Sequence, residues 1–166
     1  MIAAAGGDSL LHIYIDADAC PVKDEVFRVA KRYDLDVTLV AAAWMRTPDD
    51  RRLVLEVVGE GIDVADDFIA GHVEQGDIVV TADIPLAARC LAKGAHVIGT
   101  TGWPFTADNI GTALATRSLM SDLRDLGEVT GGPRPFTSRD RSRFLQRLDD
   151  AVIAIRRRTS RAGGST

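Results

Sequence analysis

Apolar positions in this chain gather in short runs that alternate with stretches of helical character. Residues 11–16, LHIYID, form an apolar run ending in an acid, and Pro21–Tyr33 follows with helical spacing, which predicts a strand and then a helix. The unit recurs. Val37–Trp44, Asp77–Ala82 and Ala95–Thr100 read as further buried strands. Leu53–Val58 and Phe68–Val73 read as short helices, and Pro85–Lys93 as a helix stopped by Gly94. Beyond Thr101 the strands are expected to stop. Asp108–Leu126 and Ser138–Arg157 predict two longer helices joined by a Gly131-Gly132-Pro133 turn. Strands alternating with helices predict an α/β fold: a mainly parallel sheet of four to five strands, helices on both faces, and a C-terminal helical extension. A single domain is expected over residues 11–157. The flanking segments 1–10 and 158–166 are small, polar or Gly-rich and are expected to be disordered.

Composition agrees with one globular domain: 166 residues, 46% apolar and 27% charged. The longest apolar run, Val37–Met45, is far shorter than the ~20 residues that span a bilayer. The first ten residues lack a basic segment and carry Asp8, unlike a secretory signal, so a cytoplasmic protein without a membrane partner is expected. Cys20 and Cys90 are too few for a disulfide framework or a Cys-rich zinc site. The net charge of −4 is unevenly spread. Residues 134–161 hold nine Arg against Asp140, Asp149 and Asp150, a local +6, which leaves −10 for the rest. An acidic site with a basic arm for a polyanion is one reading of that split. Arg outnumbers Lys 17 to 3 along the whole chain, so Arg content alone does not single out the tail.

The acids matter because ligands of open parallel sheets bind beyond the carboxyl ends of the strands. Asp16 and Asp18 follow the first strand, Asp83 ends the DIVVTAD run, and Asp63, Asp66 and Asp67 precede a short helix. Converging carboxylates repel one another unless cations occupy the site, and oxygen-only ligands suit Mg²⁺ or Mn²⁺. The chemistry expected is metal-assisted phosphodiester hydrolysis. Capping is the competing explanation: Asp83 before Ile84-Pro85 is a good N-cap, and Asp66 or Asp67 could cap the next helix. Asp16 has no such cap to make. Lys23, in the first turn of a helix, fits that end's dipole poorly and is a candidate to face phosphate. Other signals fail. Gly59-Glu60-Gly61 lacks the third glycine of a dinucleotide loop, and no GxxxxGK[ST] or GxSxG occurs. Cys20 lacks the arginine six residues on that a phosphatase loop needs, and His12, His72 and His96 have no ligand spacing.

Five ordered segments carry a resemblance: DADACPVK at Asp16–Lys23, DVADDFI at Asp63–Ile69, GDIVVTADIPLAA at Gly76–Ala88, TGGP at Thr130–Pro133, and Asp140-Arg141. Over Ile13–Leu148 the chain resembles the YaiI/YqxD family of bacterial proteins. That family is placed by similarity among PIN-like nuclease domains, so the resemblance implies a PIN-like fold and Mg²⁺- or Mn²⁺-dependent cleavage of RNA. Carried over by position, Asp16 and Asp83 are metal ligands, Asp66 is a third, and Asp18 supports them catalytically. Lys23, Arg117 and Arg141 are candidates to meet substrate phosphates. Two other readings stay open. One is a non-catalytic RNA- or ribosome-associated module using the basic tail. The other is phosphotransfer of the haloacid-dehalogenase type, with Asp16 as nucleophile and Asp18 as acid or base.

Overall fold

The computed structural model describes residues 11–128 and 134–163, excepting the side chains of 161–163. In chain order the elements are β1 (His12–Asp16), α1 (Lys23–Tyr33), β2 (Asp36–Ala41), β3 (Leu53–Val57), α2 (Val64–His72) and β4 (Ile78–Val80). They continue with α3 (Ile84–Ala92), β5 (His96–Ile98), β6 (Pro104–Phe105), α4 (Ile110–Asp125) and α5 (Ser138–Gly163). The strands form one six-stranded sheet in the order β3-β2-β1-β4-β5-β6. All neighbours are parallel except β5 and β6. The chain winds outward from β1 to β2 and β3, then crosses back to β4 on β1's other side, so strand order reverses between β1 and β4.

Side-chain alternation splits the core in two. Ile13, Ile15, Val37, Leu39, Ile78, Val80 and Ile98 face a layer built by α1 and α5. Tyr14, Val40, Val79 and Val97 face α2 and α3. From α5, Phe144, Leu148, Val152 and Ile155 recur at spacings of four, four and three, a stripe that keeps one helix face buried. Helix α4 packs on α3 and buries none of its own residues fully.

Four segments depart from expectation. Leu53–Val57 is a strand, not the short helix expected over Leu53–Val58, and pairs in register with β2 from Val37↔Leu53 to Ala41↔Val57. Five residues are too few to show a 3.6-residue period, and Leu53 and Leu55 pack on the α1/α5 core as alternating positions of a half-exposed edge strand do. A sixth strand follows Thr101: β6 runs antiparallel to β5 through Val97↔Phe105 and Ile98↔Pro104. Pro104 disguises it, since proline is tolerated only where no ladder donor is needed, as on this edge. Helix α2 begins at Val64, so Asp66 and Asp67 lie inside its first turn and neither caps it. Helix α5 continues past Arg157 to Gly163. The Gly131-Gly132-Pro133 turn, the TGGP segment and residues 1–10 lie outside the described residues. Among the described residues no helix is long and apolar enough to cross a membrane.

Candidate metal and phosphate site

The carboxyl ends of β1 and β4 meet at the point where strand order reverses, where parallel sheets open a crevice. Asp16 is the last residue of β1, and its Oδ2 accepts a 2.9 Å hydrogen bond from the Thr81 hydroxyl. Thr81, just past β4, is 1% exposed and accepts in turn from the Asp83 N–H at 3.0 Å. Asp83, Thr81 and Asp16 thus form one polar chain across two neighbouring strands. Asp83 also caps α3: its Oδ1 accepts from the Leu86 N–H at 2.9 Å, with Pro85 in the first turn. The capping expected of Asp83 is therefore real, and it coexists with the site.

Asp66 comes from the first turn of α2, the helix packed on the sheet face that carries Tyr14. Burial pushes its carboxyl up to about 6, helped by the negative charges of Asp83, Asp16 and Asp63 and opposed by Arg89. Asp16 is raised as well, by burial first and then by Asp83 and Asp18, while the Thr81 hydrogen bond pulls it back. The three acids proposed from sequence therefore share one electrostatic neighbourhood. No ion pair among the described residues involves Asp16, Asp66 or Asp83. Arg89, the nearest cation in effect, pairs with Asp67 at 2.9 Å instead. Nor do three His, Cys, Asp or Glu side chains among the described residues stand together as a ready metal cage. The donor set suits an ion that keeps most of its waters and takes one or two carboxylates directly, as Mg²⁺ does.

The remaining candidates are placed as follows. Asp18 is exposed, and its Oδ2 accepts from the Ala42 N–H at 3.2 Å, tying the loop after β1 to the end of β2. Lys23 reaches back to the carbonyls of Cys20 at 3.1 Å and Ala17 at 3.5 Å, so its ammonium closes the DADACPVK loop. Arg141 donates through Nη1 to the Pro21 carbonyl and to Glu25 Oε1, each at 2.9 Å. Its guanidinium braces the same loop from α5, with Glu25 buried. Arg117 is exposed on α4, outside α3. Cys20 is buried and its thiol pushed up by burial, which agrees with a packing role. Thr81 is the site residue to which sequence reasoning gave no role of its own. Its signal was a polar residue ending the apolar run IVV, two positions before an acid.

Asp140 is a different kind of acid. It sits three residues into a Thr137-x-x-Asp140 capping box: Thr137 N–H donates to Asp140 Oδ2 at 3.0 Å and Asp140 N–H to Thr137 Oγ1 at 3.1 Å. Arg134 and Arg143 donate to its Oδ1 at 3.1 and 3.3 Å. The Arg134 bond and the Thr137 N–H hold this carboxyl down to about 2.

Residues 14–154 match the profile of the uncharacterised YaiI/YqxD family. The chain belongs to the YaiI/YqxD family. It is 56% identical over 151 residues to a UPF0178 protein of Rhodopseudomonas palustris, covering 91% of this chain and 96% of that one. A UPF0178 protein of Paramagnetospirillum magneticum is 57% identical over 145 residues, 87% of this chain and 96% of the relative. One from a Bradyrhizobium strain is 54% identical over 145 residues, 87% and 88% of the two chains. No solved structure matches it. The relatives' names state no activity, so the function of this YaiI/YqxD protein is argued from its geometry.

Proposed function

We propose that this protein is a Mg²⁺- or Mn²⁺-dependent nuclease that hydrolyses phosphodiester bonds in RNA. The observation that carries the reading is the group Asp16, Asp66 and Asp83 at the β1/β4 crossover. These are three half-buried carboxylates, of which Asp16 and Asp66 are raised by burial and by their acidic neighbours, and among the described residues no cation pairs with any of them. Such a group is costly to a fold unless it holds a cation when it works. Asp16, Asp66 and Asp83 would hold the ion, which when bound lowers the pKa of an attacking water and offsets charge developing on the phosphoryl group. Thr81 fixes the orientation of Asp16 by its hydrogen bond, and Asp83 is fixed by its cap. Lys23 and Arg141 act here by holding the loop that carries Asp18, not by touching phosphate.

A non-catalytic basic arm draws less support. Of the tail arginines, Arg134 and Arg143 hold Asp140, Arg141 holds Glu25, and Arg156 donates to the Tyr33 carbonyl at 2.7 Å while stacking on the Tyr33 ring. The test is cleavage of a mixed RNA pool with Mn²⁺ by wild type and by Asp16→Asn. Wild type should cleave, EDTA should abolish cleavage, and Asp16→Asn should lose at least about 100-fold. Equal cleavage by both proteins, or none by either, sinks the reading.

A further inference from the structure

The chain has only two tryptophans, and the fold turns both to solvent: Trp44 is 75% exposed and Trp103 54%. Scattered surface apolar residues are ordinary, so their position decides their meaning. Trp44 lies three residues beyond Ala41, the end of β2, and two beyond Ala42, whose N–H is held by Asp18. Trp103 closes the turn leaving β5, where the Gly99 N–H donates to the Trp103 carbonyl at 2.9 Å. Strands β2 and β5 run parallel to β1 and β4 and flank them on either side. Both rings therefore belong to the sheet edge that carries Asp16 and Asp83, one on each side of the acids. Three strand spacings separate β2 from β5, about 14 Å.

Cations accompany the rings. The guanidiniums of Arg143 and Arg147 lie 4.7 and 5.2 Å from the centre of the Trp103 ring, and Arg46, two residues after Trp44, is exposed. Unstacked bases recognise this chemistry: they stack on aromatic rings and Arg planes while their phosphates meet guanidinium charge. A duplex, whose base faces are already covered, does not.

We infer that Trp44 and Trp103 are stacking platforms for single-stranded RNA, which crosses the carboxyl edge of the sheet and presents the phosphate between them to Asp16 and Asp83. The inference rests on the nuclease reading for what happens to that phosphate, but not for the binding itself. Both rings being exposed, base stacking should quench the protein's own fluorescence. The probe is a ten-residue oligouridylate added to Asp16→Asn protein in Mg²⁺, with a blunt RNA duplex of equal length in parallel. The single strand should quench and saturate, and the duplex should bind at least tenfold more weakly. Trp44→Ala and Trp103→Ala should each weaken single-strand binding about tenfold, with Trp44→Phe retaining most of it. Absence of quenching, equal affinity for duplex, or unchanged affinity in both Ala variants overturns the inference. If wild type still cuts RNA in that case, the nuclease reading stands without it. Single-strand quenching by a wild type that cuts nothing retains the platforms and ends the nuclease reading.

Discussion

Two acid centres of this protein, the buried Asp140 at the start of α5 and the half-buried Asp16/Asp66/Asp83 group at the β1/β4 crossover, have opposite surroundings. Asp140 is met by two guanidiniums and a backbone N–H, and its carboxyl is held down to about 2. Asp66 is met by burial and three other acids, and is pushed up to about 6. One acid stabilises the fold in its charged form, whereas the other would be easier to fold without its charge. The difference separates acids that build a structure from acids that wait for something, and a tally of aspartates in the sequence could not make that division.

The largest expected effect lies on the Asp140 side. Gly102 has φ +96°, and a Cβ there would stand 2.9 Å from the Arg143 carbonyl carbon and the Phe144 nitrogen. Neither backbone atom can move without undocking α5, so Gly102→Ala should cost roughly 3 kcal/mol in denaturant unfolding. A loss below about 1 kcal/mol would mean that the loop 99–105 is not seated on α5 as described.

Charge removal should then act with opposite sign at the two centres. Asp140→Asn should lower the melting temperature. Asp66→Asn should raise it by the equivalent of about 1 kcal/mol after solvent screening, a few degrees for a chain of this size. The pH dependence follows. With its folded pKa above its unfolded value, Asp66 binds the proton more readily in the folded state, so stability falls as pH rises from about 4 to 6. With its folded pKa below its unfolded value, Asp140 contributes stability that is present above about 4 and lost as pH falls toward 2. Wild type should therefore melt highest near pH 4–5, and saturating Mn²⁺ at pH 7 should remove most of the advantage of Asp66→Asn. If both Asn variants shift in the same direction, the contrast between the centres fails.

Asp83 belongs to both classes, and two substitutions separate its roles. Asp83→Asn keeps the cap and should be near neutral, whereas Asp83→Ala should lose about 1 kcal/mol. Both should lose part of the Mn²⁺-induced rise in melting temperature, and an unaltered metal response in Asp83→Asn would leave only the cap. The smallest effect is expected at Thr81. Thr81→Val removes the hydrogen bond that holds the Asp16 carboxyl down, so the acid limb of the pH–cleavage profile should move upward. A downward or absent shift would detach Thr81 from Asp16.

The parts of the fold legible in the sequence were those buried on both faces. The cores of β1, β2, β4 and β5 read as near-continuous apolar runs because helices cover the sheet on both sides. Strand β3 has one open edge and β6 carries Pro104, so neither has that signature. The placement of Asp16 and Asp83 was also legible, since strand ends in parallel sheets converge. Asp66 was named with them as a third acid, and α2, which follows β3, brings it to their electrostatic neighbourhood. The role of Arg141 was hidden, because Glu25 and Pro21, its partners, lie 116 and 120 positions earlier in the chain.

That separation also orders events in time. A ribosome adding about 5–20 residues per second makes the loop after β1 roughly 6–24 s before it makes Arg141. Through that interval the nascent loop bearing Asp16 and Asp18 has no brace from α5, nor has α1 the contacts of Asp149 with Arg32 and Tyr33 that later clamp its end. A chain interrupted before α5 therefore carries every proposed metal ligand, with Thr81 to hold Asp16 and the α3 cap to hold Asp83, and lacks the Arg141 brace on the loop between β1 and α1.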